Sequence, residues 1–253
     1  MFYAITRQIS PAMARCELTH VDRAPIDMEL AAQQHHQYQQ ALRALGCENI
    51  LLTSEPDFPD SVFVEDVAVV LDEIAVITRP GAESRRGESA TVAAVLAKHR
   101  TLAYITAPAT LDGGDVLRLG RRILVGQSGR SNTAGIEQLR ELLQPYGYSV
   151  QAMPIHGCLH LKSAVTEVAD GVLLVQPEWI DASQFAQYTI ILVDPAEPHA
   201  ANALRVGSGL IYPSYFPRTL ARLHDSGIVP LLVDVAELQK AEGAVTCCSL
   251  LLN

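Results

Sequence analysis

Apolar and polar positions along this chain follow two periods that take turns. Residues 62–70 form an apolar, β-branched run interrupted by Glu65-Asp66; it breaks at Asp72-Glu73, resumes over 74–78 and stops at Pro80-Gly81. Such a pattern predicts two strands joined by a tight turn. The outline recurs in 111–117 with 123–126, in 160–166 with 171–175, and in 201–206 with 210–213. Residues 245–252 supply a fifth first strand, whose hairpin partner must be the strand predicted at 2–6. Between these pairs the spacing changes to that of helices, over 28–45, 88–97, 132–143, 179–187 and 217–224. Asn132-Thr133 ahead of an Ile136/Leu139/Leu142/Leu143 stripe predicts an N-cap, and Pro145 with Gly147 predicts the stop. Short apolar runs after the helices, such as those at 50–52, 101–105 and 229–233, complete the units. The prediction is an α/β protein of five ββαβ units in a ring, with residues 1–253 as a single domain.

The polar residue interrupting each first strand falls at Asp66, Asp112, His160, Asn202 and Cys247, with gaps of 46, 48, 42 and 45 residues. In a pseudo-fivefold ring, equivalent positions meet near the axis. A thiol, an imidazole and a carboxylate gathered there form a nucleophile, a general acid/base and an orienting acid. Cys247 and Cys248, read as strand neighbours, point to opposite faces, so one faces the ring and one packs outward. By themselves they read as buried structural thiols; His160 changes that balance. Glu65 and Asp66 lie between apolar residues, so each must be paired or await a cation, because burying an unpaired charge is costly. In Asp112-Gly113-Gly114-Asp115 the glycines allow close backbone approach and leave room for a ligand, besides the ordinary reading as a bulge.

Composition narrows the ligand. The 253 residues carry 19 Lys+Arg against 28 Asp+Glu, a net charge of −9, and 49% are apolar. That balance argues against nucleic-acid phosphates or anionic membranes as partners and favours a small cation. No run approaches the roughly 20 apolar residues that span a bilayer, and the first residues lack a basic stretch followed by an apolar one. A cytoplasmic location is therefore expected, with all five cysteines reduced. No cysteine pair has the spacing of a structural zinc site.

Several of these segments, read together, carry a resemblance. They are Phe63-Val64-Glu65-Asp66-Val67-Ala68-Val69, Ile77-Thr78-Arg79-Pro80-Gly81-Ala82, Ser84-Arg85-Arg86, Thr110-Leu111-Asp112-Gly113-Gly114-Asp115-Val116-Leu117, Leu159-His160-Leu161-Lys162-Ser163 and Thr246-Cys247-Cys248-Ser249. Over nearly the whole chain the sequence resembles the dimethylarginine dimethylaminohydrolases of the guanidino-group-modifying superfamily. The resemblance implies the pentein fold, a five-bladed pseudo-fivefold α/β propeller. It implies hydrolysis of mono- and dimethylarginine to citrulline and methylamine or dimethylamine, through a covalent S-alkylthiouronium on a cysteine. Cys247 is then the nucleophile, His160 the proton donor and later the base, and Asp112 the acid that orients it. Asp66, with Glu65 beside it, is implied to hold the guanidinium. Arg85 and Arg130 are implied to bind the α-carboxylate, and Asp60 with the backbone carbonyls of Leu18 and Ala241 the α-amino group.

The resemblance requires neither metal nor organic cofactor and fits a monomer or a homodimer. Residues 13–21 are the candidate lid, while Lys162, Asp115, Arg86 and Asn202 are left as structural or supporting. The competing readings are a deiminase-like hydrolase releasing ammonia, for whose helical insertion the connections are too short, and a non-catalytic binding module. A binding module has no need of Cys247, His160 and Asp112 together.

Overall fold

In a computed structural model, which describes residues 2–253, the chain forms five small sheets of three strands each. Strands β1 (Phe2–Arg7) and β2 (Cys47–Leu52) are parallel neighbours, in register from Phe2 opposite Cys47 to Arg7 opposite Leu52. The next sheets are β3 (Ala68–Val70), β4 (Ile74–Ile77) and β5 (Thr101–Tyr104), then β6 (Val116–Leu119), β7 (Arg122–Gln127) and β8 (Ser149–Pro154). They are followed by β9 (Val165–Ala169), β10 (Val172–Val175) and β11 (Thr189–Leu192), then β12 (Leu204–Val206), β13 (Gly209–Pro213) and β14 (Leu231–Val233). Finally β15 (Leu250–Leu252) returns to β1, pairing antiparallel with Ile5 opposite Leu250. Every sheet has one design: the middle strand runs antiparallel to the inner strand and parallel to the outer one. The five predicted units are present, and the first and last strands close the ring.

The helices cover the sheets. α1 (Met28–Ala44) begins at Asp27, whose carboxylate accepts from the amides of Glu29 and Leu30, and it buries Tyr38 and Leu42. α2 (Ser89–Leu96) buries Val92 and Leu96. α3 (Thr133–Leu143) buries Ile136, Leu139 and Leu143; the Asn132 side chain accepts from Gly135 N at 2.8 Å, a cap worth about 1 kcal/mol. Beyond it, Gly147 takes the left-handed φ of +76° that ends the turn. α4 (Leu161–Ala164), α5 (Pro217–Asp225) and α6 (Ala236–Gln239) are short. Apolar clusters fill the spaces between neighbouring units, one of them holding Tyr38, Leu42, Ile211, Leu238, Cys247 and Cys248.

Two predictions of local structure are corrected. Residues 179–187 form no helix but a single 3-10 turn, Ala182–Phe185, capped by Asp181. Their buried apolar residues, Ile180 and Phe185, are five apart and do not share a helical face. The first strand of each unit is also shorter than predicted, because the segment before it is a turn. Asp66 lies in the 3-10 turn Val64–Val67, Asp112 precedes the turn Gly113–Asp115, and His160 immediately precedes α4. Cys247 and Cys248 stand in a turn ahead of β15, not on a strand. Near the axis no neighbouring strand is available for these segments. Their buried amides instead bond three residues back: Asp66 to Phe63, Asp115 to Asp112, Ser163 to His160 and Cys247 to Ala244.

Candidate active site

These turns bring side chains from separate units together. His160 Nε2 donates to Asp112 Oδ2 at 3.0 Å, and His160 Nδ1 lies 3.9 Å from Asp66 Oδ1. The other oxygen of Asp112 accepts from Gly81 N at 2.8 Å, which fixes the carboxylate plane. Asp66 Oδ1 accepts from Gly114 N at 3.0 Å. A Cβ on Gly114 would lie 2.6 Å from His160 Nδ1 and 2.8 Å from Asp66 Oδ1, so glycine is required there by close approach. The Cys247 turn joins this group through the backbone, its carbonyl accepting from Glu65 N at 3.1 Å.

Burial and neighbouring charge set the protonation states. Burial opposes a charge on His160, but Asp66, the hydrogen bond to Asp112, and Asp115 outweigh it and raise its pKa to about 9. For Asp66 burial is overcome by His160 and Arg85, and its pKa falls to about 2. The Cys247 thiol is pushed up to about 12, first by burial and then by Glu65 and Asp66. At neutral pH Cys247 therefore rests as a thiol and His160 as an imidazolium flanked by carboxylates.

The residues expected to bind substrate are distributed unevenly. Arg85 does not project into open space as a carboxylate ligand. It is buried, donating to Asp66 Oδ2 at 2.6 Å through Nη1, to Glu88 through Nε and Nη2, and to the carbonyl of Phe63 through Nη2. Of the two arginines only Arg130 has a nitrogen, Nη1, without a hydrogen-bond partner among the described residues; it lies 3.7 Å from Asp112 Oδ2. Glu65 diverges from Asp66, because successive residues of a 3-10 turn point about a third of a turn apart. Its oxygens accept from Lys162 Nζ and Thr246 Oγ1 instead. Asp60 is buried and its Oδ2 accepts from Glu17 N at 3.1 Å. Leu18 and Ala241 pack on the apolar cluster that contains Cys247.

Three contributors were undervalued in the sequence. Asp115 Oδ1 caps α4 by accepting from Leu161 N at 3.0 Å. Its Oδ2 accepts from Ser128 and Ser131 in the loop that carries Arg130. The second acid of Asp-Gly-Gly-Asp was its only signal. Glu88 pairs with Arg85, and burial raises its pKa to about 7. Glu242, a non-glycine residue at φ +58°, accepts from the amides of Thr19 and His20 and so ties the candidate lid down. Nothing in the sequence marked it. Cys247 and His160 are both buried, at 9% and 5% exposed. One cavity of about 390 Å³ is bounded by Glu65, Lys162 and Thr246, one of about 90 Å³ by His20, Cys158, Trp179 and Asn202, and one of about 410 Å³ by Gln37, Ser214 and Leu232.

Asp66, Asp112 and His160 have ligand atoms within 4.8 Å of one another, as a metal site requires. A charged imidazole has no lone pair to offer, however, and its Nε2 is committed to Asp112. The set is thus arranged as a hydrogen-bonded acid, not as a ligand shell. Among the described residues no helix is long and apolar enough to cross a membrane.

The sequence model of a family described as N,N dimethylarginine dimethylhydrolase, eukaryotic, matches residues 19–193. The N(G),N(G)-dimethylarginine dimethylaminohydrolase of Streptomyces coelicolor is 43% identical over 99% of this chain and 96% of its own. The chain belongs to the dimethylarginine dimethylaminohydrolase family. A second dimethylarginine dimethylaminohydrolase, from Pseudomonas aeruginosa, is 34% identical over 88% of this chain and 89% of its own. A cysteine-to-serine mutant of the Pseudomonas aeruginosa enzyme, complexed with citrulline, has a structure that matches this fold with a TM-score of 0.95 at 32% identity, each chain covered completely. The pentein architecture extends further. The N-terminal domain of a cyanobacterial arginine dihydrolase matches with a TM-score of 0.84 at 20% identity, covering 99% of this chain and 97% of that one, a likeness of fold alone.

Proposed function

We propose that this dimethylarginine dimethylaminohydrolase family member hydrolyses Nω-methylated arginines to citrulline and methylamine or dimethylamine, with the ring of residues 1–253 as one catalytic unit in the cytoplasm. The observation that carries the reading is His160 held between Asp112 and Asp66 beside the Cys247 turn. Asp66 already holds one guanidinium, that of Arg85 on Oδ2, while Oδ1 faces His160. A substrate guanidinium docks on the Oδ1 side, in the plane that a carboxylate imposes on a fork of N–H donors. Arg130, with Nη1 unpartnered, takes the α-carboxylate; Asp60 and the carbonyls of Leu18 and Ala241 take the α-amino group. Arg85 and Glu65 act from behind, holding Asp66 and the Cys247 turn in place.

The steps balance without a cofactor. The Cys247 thiol releases its proton to solvent as the cationic substrate arrives, and the thiolate adds to the guanidinium carbon. His160 delivers its proton to the methylated nitrogen, the C–N bond breaks and the amine leaves. The now neutral His160 takes a proton from water, which adds to the thiouronium carbon. Collapse breaks the C–S bond, and the proton of the added hydroxyl passes to the departing thiolate, restoring the Cys247 thiol and releasing citrulline.

Citrulline and amine release from asymmetric dimethylarginine, with arginine alongside, tests the reading in wild type, Cys247→Ser and Cys248→Ser. Dimethylamine release abolished only by Cys247→Ser is the expected result. Ammonia from arginine as the preferred product would move the chain to deiminase chemistry, and no turnover by folded wild type would overturn the reading.

A further inference from the structure

Four of the five equivalent ring positions are absorbed by the site. The fifth, Asn202, is buried at 4% exposure and carries neither charge nor nucleophile, yet it is the most fully bonded of the set. Its Oδ1 accepts from Thr246 N at 3.1 Å, and its Nδ2 donates both to Thr246 Oγ1 at 3.0 Å and to the carbonyl of Lys162 at 3.0 Å. Thr246 immediately precedes Cys247; Lys162 stands two residues after His160. One amide thus joins the turn bearing the thiol to the turn bearing the imidazole.

The bonds continue into a closed circuit. Thr246 Oγ1 passes its own hydrogen to Glu65 Oε2 at 2.8 Å, and Glu65 N donates to the carbonyl of Cys247 at 3.1 Å. Lys162 Nζ holds the other oxygen of Glu65. Cys247 is therefore flanked on its N-terminal side by the Asn202 clamp and on its C-terminal side by the Glu65 amide. The chemistry of position 202 is dictated by what meets it: two acceptors and one donor, which a neutral amide satisfies at once and which no carboxylate or hydroxyl can.

We propose that Asn202 is a positioning residue that sets Cys247 against His160, acting through Thr246 and Lys162 and touching no substrate. The inference rests on the functional reading above. Misplacing reacting groups by about 1 Å costs on the order of 100-fold in rate, so a clamp between nucleophile and acid governs turnover far more than binding.

The test measures amine release, melting temperature and alkylation of Cys247 by iodoacetamide in Asn202→Ala, Thr246→Val, Thr246→Ser and the Asn202→Ala/Thr246→Val double variant. Asn202→Ala and Thr246→Val are expected to lower kcat roughly 10- to 100-fold with KM within about threefold. Thr246→Ser, which keeps the hydroxyl, restores kcat to within about threefold of wild type. The double variant falls no further than the worse single, because both remove one clamp. Folded Asn202→Ala with wild-type kcat overturns the proposal, as does Thr246→Ser failing as badly as Thr246→Val. If Asn202→Ala does not fold, the contrast between valine and serine at 246 decides. Wild type without amine release defeats the functional reading and not the clamp. Alkylation then decides, an altered rate in Asn202→Ala or Thr246→Val supporting the clamp and an unchanged one overturning it.

Discussion

Cys247 rests as a neutral thiol while His160 rests charged, so the two differ from a thiolate–imidazolium pair by the one proton that the sulfur still holds. Glu65 and Asp66 reinforce burial in keeping the thiol neutral, while Asp66, Asp112 and Asp115 keep the imidazole charged. On the proposed reading, a guanidinium arriving at Asp66 brings positive charge to the neighbourhood of the thiol, so part of the nucleophile's activation comes from the substrate. Alkylation of Cys247 by neutral iodoacetamide in substrate-free protein should accordingly be slow at pH 7 and climb continuously toward pH 10. A rate flat between pH 6 and 9 would contradict a neutral resting thiol. At this scale the sequence was most informative about residues whose position follows from the repeat, namely Asp66, Asp112, His160 and Cys247. It was least informative about direction. Glu65 and Asp66 are neighbours whose side chains diverge in a 3-10 turn, and Arg85 finds Glu88 three residues on only because that stretch is also a 3-10 turn.

Among the elements, the segment from Met13 to Val21 behaves as a strap. A short 3-10 turn, Met13–Arg15, starts it; Glu17 N is held by Asp60, and the amides of Thr19 and His20 by Glu242. A left-handed backbone at a residue with a Cβ costs about 1–2 kcal/mol, so Glu242 keeps its carboxylate in place at the expense of local strain. Glu242→Gly removes the latch without leaving the strain behind. It should raise KM several-fold and speed trypsin cleavage after Arg15 and Arg23, both already exposed, in the absence of substrate, while melting temperature holds or rises. Unchanged KM and unchanged cleavage would show that the strap needs no latch. Outer elements were legible: α1 and α3 start within a residue of the predicted 28 and 132, because amphipathic stripes and capping side chains are local signals. The inner turns were not, since an apolar run reads as a strand whether or not a partner strand exists to bond it.

For the molecule as a whole, buried titratable groups near the axis bias stability with pH. His160, at about 9 in the fold against 6.5 in free chain, stabilises below pH 6.5 and loses that contribution as pH rises through 9. Asp115, at about 6 against 3.8, and Glu88, at about 7 against 4.5, are disfavoured in the fold once ionised, so they too subtract stability as pH rises across those intervals. Asp66, at about 2 against 3.8, works at the acid end, where its contribution disappears as pH falls through 2. A tenfold change in proton affinity between folded and free chain corresponds to about 1.4 kcal/mol. Melting temperature should therefore be higher at pH 5.5 than at pH 7, and higher at pH 7 than at pH 9.5, with His160→Asn flattening the upper part of the curve. A midpoint that rises from pH 5.5 to 9.5 would refute this assignment of charges.

Closure of the ring between β15 and β1 has a consequence for the birth of the protein. Ribosomes make chains from the N-terminus, and early segments fold while later ones are still inside the exit tunnel. Asp66, Arg130 and His160 all emerge ahead of Cys247, whose turn immediately precedes β15. On the proposed reading, a nascent chain thus assembles most of its charged centre before the nucleophile is present. β15, by docking beside β1, carries with it the Cys247 turn that bonds Glu65, so that pairing of these two strands and placement of the sulfur are one event.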